Sequence, residues 1–181
     1  KVAAGQTVLL LGTGGVSSFG LLFAKMHGAR VIMTSSSDEK LARARELGAD
    51  EGINYRKTED WHEEVRGLTG GAGVDHLLEV GGRDSFPKSL ASLATNGRMS
   101  LIGGVSGFNG ELAFREVLAR MATLRGIFVG SREIFESMNR AMALHKTKPV
   151  VDRVFPFEGA ADAYRYLESG SHFGKVVIRL P

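Results

Sequence analysis

Thr7-Val8-Leu9-Leu10-Leu11-Gly12-Thr13-Gly14-Gly15-Val16 is the stretch on which the fold turns. A run of β-branched residues and leucines leaves the Gly5-Gln6 turn and ends in glycine. An apolar run this short, bounded by turn residues, predicts a fully buried strand of a parallel sheet. Phe19, Leu22, Phe23 and Met26 then recur at i, i+3, i+4 and i+7, and Gly28 closes the pattern, which predicts a helix. Strand, glycine turn and helix start together make a candidate anion site. The first amides of a helix lack partners, its dipole favours negative charge, and glycine lets a ligand approach the backbone. The expected occupant of the Gly12–Val16 turn is the diphosphate of a dinucleotide.

Working outward, the apolar runs and turn residues predict an alternation of strands and helices. Arg30–Thr34 reads as a second buried strand leading into Ser35-Ser36-Ser37. Ser36 and Glu39 have the spacing of a capping box, opening a helix through Leu41, Ala44 and Leu47 that stops at Gly48. Gly52–Tyr55 is a third strand, Trp61, Val65 and Leu68 mark a helix, and Val74–Val80 is a fourth strand. Phe86–Leu93 is helical, with Pro87 suited to a first turn, and Arg98–Ile102 is a fifth strand. A short helix over Val117–Met121 precedes a sixth strand, Thr123–Gly130. Ser131–Leu144 is a helix with Ile134, Met138 and Met142 on one face. The fold class is therefore α/β: a doubly wound, six-stranded parallel sheet of Rossmann type in the order 3-2-1-4-5-6. After Pro149 come an extended run at Arg153–Phe157, a helix over Glu158–Leu167 and a strand at Lys175–Ile178. A further strand has no obvious seat in a complete sheet, so this tail is expected to belong partly to another domain.

Composition narrows the function classes. The chain has 181 residues, 43% hydrophobic and 24% charged, which suits one ordinary globular core. Its 24 glycines fall mostly between apolar runs, so they mark turns rather than disorder. A net charge of +3, evenly spread, with no basic run, argues against nucleic acid. No stretch has the length of a membrane span and no signal peptide is visible, so a cytoplasmic setting without membrane contact is expected. There is no cysteine, and the five histidines (His27, His62, His76, His145 and His172) show no two-histidine helical spacing. They read as surface or boundary residues, and no metal ligand is assigned. The chain starts at Lys1, at the doorstep of a core strand, so an upstream segment is expected.

The end of the second strand bears on the choice of cofactor. An NAD-preferring site places Asp or Glu there for the ribose hydroxyls, and that charge repels a 2′-phosphate. This chain has Ser35 and Ser36, with Lys40 one turn further on, and Tyr55 and Arg56 at the same sheet edge. Neutral donors plus a cation suit a phosphate ester, so NADP(H) is expected over NAD(H). The competing possibility is that Ser36 only caps the helix and Lys40 is solvated. A methyltransferase would carry an acid after that strand. A short-chain dehydrogenase would carry Tyr-x-x-x-Lys, which Tyr55, Tyr164 and Tyr166 do not provide.

Gly12-Thr13-Gly14-Gly15-Val16, Glu46-Leu47-Gly48-Ala49-Asp50, Ile53-Asn54-Tyr55, Thr69-Gly70-Gly71-x-Gly73-Val74-Asp75 and Gly174-Lys175-Val176-Val177-Ile178 together resemble a medium-chain dehydrogenase/reductase. This is the superfamily of zinc-type alcohol dehydrogenases and quinone reductases. The resemblance implies a nucleotide-binding domain over 1–147 and, over 148–181, the return segment of a catalytic domain whose larger part would precede Lys1. It implies that Gly14, Gly15 and Val16 face the diphosphate and that Lys40 and Tyr55 match a 2′-phosphate pair. It also implies that Val80, Gly81, Ile102, Gly103, Phe128, Val129 and Gly130 line the nicotinamide and that Lys175 lies near the diphosphate. Ser17 departs from the third glycine of the alcohol dehydrogenase pattern. No residue matches the family's zinc ligands or proton relay, so zinc is expected only upstream, and these residues alone should bind cofactor without turning over substrate. The implied activity is hydride transfer to or from an alcohol or carbonyl. The alternatives are a zinc-independent quinone or enone reductase and a non-catalytic NADP(H)-binding module. A small-molecule substrate is expected, as is a homodimer paired along the sixth strand.

Overall fold

Val8, Leu9 and Leu10 of β1 (Thr7–Leu10) are closed to solvent because the sheet continues on both sides of them. The computed structural model describes residues 1–111 and 113–181. β1 pairs in parallel with β2 (Arg30–Ser35) and with β4 (Val74–Glu79). Beyond β2 lies β3 (Glu51–Asn54); beyond β4 lie β5 (Leu93–Leu101) and β6 (Thr123–Gly126). The order β3-β2-β1-β4-β5-β6 is the doubly wound arrangement that the sequence predicts, and its direction reverses between β1 and β4.

Alternation along the strands divides the core in two. Leu9, Leu11 and Ile32 face α3 (Trp61–Leu68) and α4 (Phe86–Ser92), meeting Trp61, Val65 and Leu90. Val8, Leu10, Val31 and Met33 face α1 (Gly15–Met26) and α2 (Asp38–Glu46), meeting Leu21, Ala24 and Ala44. A strand covered on both faces has no solvated side, which is why these runs are apolar at every position.

Five local expectations are corrected. The sheet-facing side of α1 carries Ser17, Ser18, Leu21 and Ala24, while Phe19 and Phe23 stack half-exposed with ring centroids 5.9 Å apart. Close approach is the cause: a Cβ on Gly20 would stand 2.9 Å from Leu10 Cδ2, so only small side chains fit there. The cap of α2 is Ser37, whose hydroxyl accepts from the Lys40 amide at 3.3 Å, not Ser36. β6 ends at Gly126 rather than Gly130, because its partner β5 ends at Leu101 and the last bond is Ile127 N–H to Leu101 O. The short helix is α5 (Phe114–Ala119), earlier than expected. Along α6 (Arg132–Leu144), Met142 is buried but Ile134 is not.

The tail forms its own two-stranded parallel sheet from β7 (Val151–Pro156) and β8 (Lys175–Arg179), joined through α7 (Ala160–Glu168). It docks on the α1/α2 side, where Phe173 is fully buried in the core. The Arg43 guanidinium lies 4.5 Å from the centroid of that ring and donates to Asp152 at 3.0 Å. Asp152 also accepts from the Tyr166 hydroxyl at 2.6 Å.

Candidate functional site

The glycine turn lies where β1 hands over to α1, at the carboxyl edge of the sheet. Gly12 has φ +71°, a backbone conformation that side chains disfavour, and its amide donates to the Thr34 hydroxyl at 3.2 Å. Gly14 is the N-cap of α1 and brings no side-chain cap; the first helical bond runs from Ser18 N–H to Gly14 O. The amides of Gly15, Val16 and Ser17 therefore open the helix without a capping side chain. Ser17 occupies the third glycine position without loosening the packing, since its buried hydroxyl donates to Leu11 O at 2.5 Å.

At the end of β2, Ser35 is 2% exposed and its hydroxyl accepts from the Ser37 amide at 3.3 Å. Because Ser37 makes the cap, Ser36 is not used for it. The nearest acid, Asp38, is engaged by Asn54 at 2.7 Å and Lys57 at 2.5 Å, which hold its carboxyl below the usual range. The Lys40 ammonium donates to Gly170 O at 2.5 Å, and burial pushes its pKa down.

The tail reaches back to the same turn. Gly174 N–H donates to Thr13 O at 2.9 Å, and Gly14 bridges Gly174 in parallel. A Cβ on Gly15 would stand 2.6 Å from Lys175 Cδ and 2.9 Å from its Nζ, so this lysine lies across the start of α1.

These pieces enclose one continuous cleft. A cavity of about 300 Å³ is lined by the Gly12–Ser17 turn, Ser35, Ser36, Lys40, Tyr55, Gly170 and His172. A second, of about 570 Å³, shares Leu11, Gly12, Tyr55, Val80 and Val105 with it and adds Trp61, Gly81, Lys88 and Ser106. Those volumes suit a small-molecule site. The turn after β4 is shaped by Glu79, which is 1% exposed. Its Oε1 accepts from the Gly81 and Gly82 amides and the Ser85 hydroxyl, and its Oε2 from the Ser89 hydroxyl.

Of the residues singled out in the sequence, Gly12, Thr13, Gly14, Gly15, Val16, Ser35, Ser36, Lys40, Tyr55, Val80 and Gly81 line this cleft. Lys175 lies at its glycine turn. Gly103 lines a neighbouring cavity of about 230 Å³ with Glu79 and Gly82, close against the Val80 backbone. Phe128, Val129 and Gly130 leave the sheet beyond β6, with Phe128 97% exposed, and wall none of the three cavities. Sequence reasoning missed Glu79, whose signal was an acid at a strand end before two glycines. It also missed His172, which carried no local signal at all. Among the described residues no group of three or more His, Asp or Glu is placed to hold a metal ion. No helix among them is long and apolar enough to cross a membrane.

A family model described as "Zinc-binding dehydrogenase" matches residues 15–144. A zinc-type alcohol dehydrogenase-like protein of Schizosaccharomyces pombe is 46% identical over 99% of this chain and 53% of its own length. The chain spans about half the length of the curated relatives it matches. A solved NAD-dependent alcohol dehydrogenase superposes with a TM-score of 0.91 at 40% identity, covering 99% of this chain and 52% of that one. A mycobacterial protein solved in complex with NADPH superposes with a TM-score of 0.84 at 30% identity, covering 99% of this chain and 59% of that one.

Proposed function

The chain belongs to the zinc-binding dehydrogenase family of the medium-chain dehydrogenase/reductase superfamily, and on that premise we propose that it is the NADP(H)-binding part of an alcohol- or carbonyl-directed oxidoreductase. The residues present fit the cofactor. The glycine turn leaves space that a Cβ on Gly15 would contest with Lys175, and the opening amides of α1 have no capping side chain. A bound nicotinamide supplies hydride transfer, and the protein's share is binding, orientation and exclusion of water. In this reading Gly14, Gly15 and Val16 present amides to the diphosphate while Lys175 closes over it. Ser35, Ser36, Lys40 and Tyr55 take the 2′-phosphate, and Val80, Gly81 and Gly103 border the nicotinamide end. Residues 148–181 serve as the return segment of a substrate domain, and the sheet edge at β6 serves as a homodimer contact.

The single strongest support is convergence: uncapped helix amides, Lys175, two serines and Lys40 meet around one cleft. Relatives of both cofactor types occur, so the preference for NADP(H) rests on the serines at the end of β2 and on an acid, Asp38, already neutralised by Lys57. Calorimetric titration tests it. NADPH should bind more tightly than NADH; equal or tighter NADH binding removes the preference, and no heat with either removes the reading. For the complete polypeptide, turnover of alcohols or aldehydes that is lost on chelation supports a zinc-type enzyme. Chelator-resistant reduction of quinones or enones supports the reductase alternative, and good NADPH binding without any turnover supports a module.

A further inference from the structure

The loop 169–174 between α7 and β8 borders the cleft, with Gly170 and His172 lining it. Its Gly170 carbonyl holds Lys40 and its Gly174 amide holds Thr13. His172 lies between those two anchors and lines the cavity together with Ser36 and Lys40. Its Nε2 is 3.9 Å from where a Cβ on Gly14 would stand, so the ring overlooks the glycine turn. Its Nδ1 is buried with no hydrogen-bond partner among the described residues. A polar atom left unsatisfied this way destabilises the fold, and such atoms call for a functional explanation.

Building on the NADP(H) reading above, we propose that His172 is a further phosphate contact of this cleft, one that takes up a proton as a dinucleotide phosphate enters and so tightens binding at acid pH. Within the protein alone the surroundings favour the neutral ring. Burial pushes its pKa below the ordinary 6.5 and the Lys40 ammonium pushes the same way, against an opposing pull from Asp152. Three other charged groups bear on the site: Lys40 from α2 is tied to Gly170, Asp152 from β7 is engaged by Arg43 of α2, and Lys175 from β8 lies over Gly15. A phosphate placed between Lys40 and Gly14 adds the negative charge that the ring lacks and raises its pKa. Affinity is then greatest below the unliganded pKa and falls as pH rises through the higher, liganded one. A rise of one unit corresponds to about a tenfold change in affinity.

The test measures NADPH and NADH affinity at pH 6 and pH 8, with proton uptake read from calorimetry in buffers of different ionisation enthalpy. The wild-type chain should bind NADPH several-fold more tightly at the lower pH, approaching about tenfold only below the unliganded pKa, and take up part of a proton. His172→Gln should lose both the uptake and that gain, and His172→Arg should bind tightly at both pH values. A His172-dependent slope with NADPH alone assigns the contact to the 2′-phosphate, and the same slope with NADH assigns it to the diphosphate. Proton uptake and pH dependence unchanged in both variants overturn the proposal while leaving the cofactor reading intact. A wild-type chain that binds neither dinucleotide overturns both.

Discussion

The Lys40 ammonium is hydrogen-bonded to the Gly170 carbonyl at 2.5 Å, across 130 residues of sequence. One contact thus ties the first turn of α2 to the tail and presents a cation at the cleft. A carbonyl is a neutral acceptor and a phosphate a charged one, so a phosphate entering there competes favourably for the same ammonium. Lys40→Met is expected to weaken NADPH binding about tenfold, roughly 1.4 kcal/mol, while leaving NADH nearly unchanged. Side-by-side titration of the two nucleotides checks it, and an equal loss for both would show that the lysine does not read the 2′-phosphate.

Glycines at the site separate binding from folding. A Cβ on Gly15 meets only the flexible end of Lys175, so Gly15→Ala should displace that lysine and cost affinity with little change in Tm. A Cβ on Gly82 would meet Gly107 O at 2.5 Å from a backbone at φ +92°, so Gly82→Ala should cost about 1–3 kcal/mol of stability. Urea unfolding beside NADPH titration reads both. Comparable stability losses in the two variants would contradict the distinction.

Glu79 carries the turn that holds Val80 and Gly81 at the cleft. Glu79→Ala removes the acceptor of two half-buried backbone amides and of the Ser85 and fully buried Ser89 hydroxyls, and the expected destabilisation is about 3 kcal/mol. Glu79→Gln keeps one acceptor oxygen and should cost clearly less. If both variants unfold at the wild-type urea midpoint, the carboxylate does not hold the turn.

Acid should loosen the tail. Burial works against ionisation of Asp152, yet hydrogen bonds from Tyr166 and Arg43 hold its carboxyl below the ordinary 3.8. A depressed folded-state pKa contributes stability that is present above the unfolded value and is lost as pH falls through the folded one. Asp38 and Asp50 are shifted in the same direction, so global acid unfolding alone does not isolate Asp152. Amide exchange of residues 148–181 between pH 6 and pH 3 is the measurement. Protection should fall with acid in the wild type and be low at both pH values in Asp152→Asn; full protection in that variant would rule out the link.

Among the described residues β6 is the last strand of the sheet on its side, and Ile127, Phe128 and Val129 beyond it are exposed apolar residues. Sedimentation should show a dimer at micromolar concentration, as expected if two copies extend the sheet across this edge. A monomer at that concentration would count against the pairing.

Much of the fold was legible because its signals are local. Apolar residues at every position of Val8–Leu11 and Val31–Met33 can only be accommodated by strands covered on both faces, and glycine at their ends marks the turns. The glycine cradle and the acid-free end of β2 were legible for the same reason. Where the reading slipped, distance between elements decided the outcome. The aromatic stripe of α1 faces outward because Gly20 brings the helix too close to Leu10 for a ring to fit. The strand pattern over Phe128–Gly130 lacks a partner because β5 stops first.

From the amino-acid order alone came the doubly wound sheet, its strand sequence and most of the residues that line the cleft, since periodicity and turn chemistry act between near neighbours. Tertiary packing alone decided that Lys175 lies over Gly15, that Gly170 holds Lys40 and that His172 overlooks Gly14. The burial of Phe173 beneath Arg43 fastens the tail against α2, and that long-range contact leaves no trace in the spacing of any single segment.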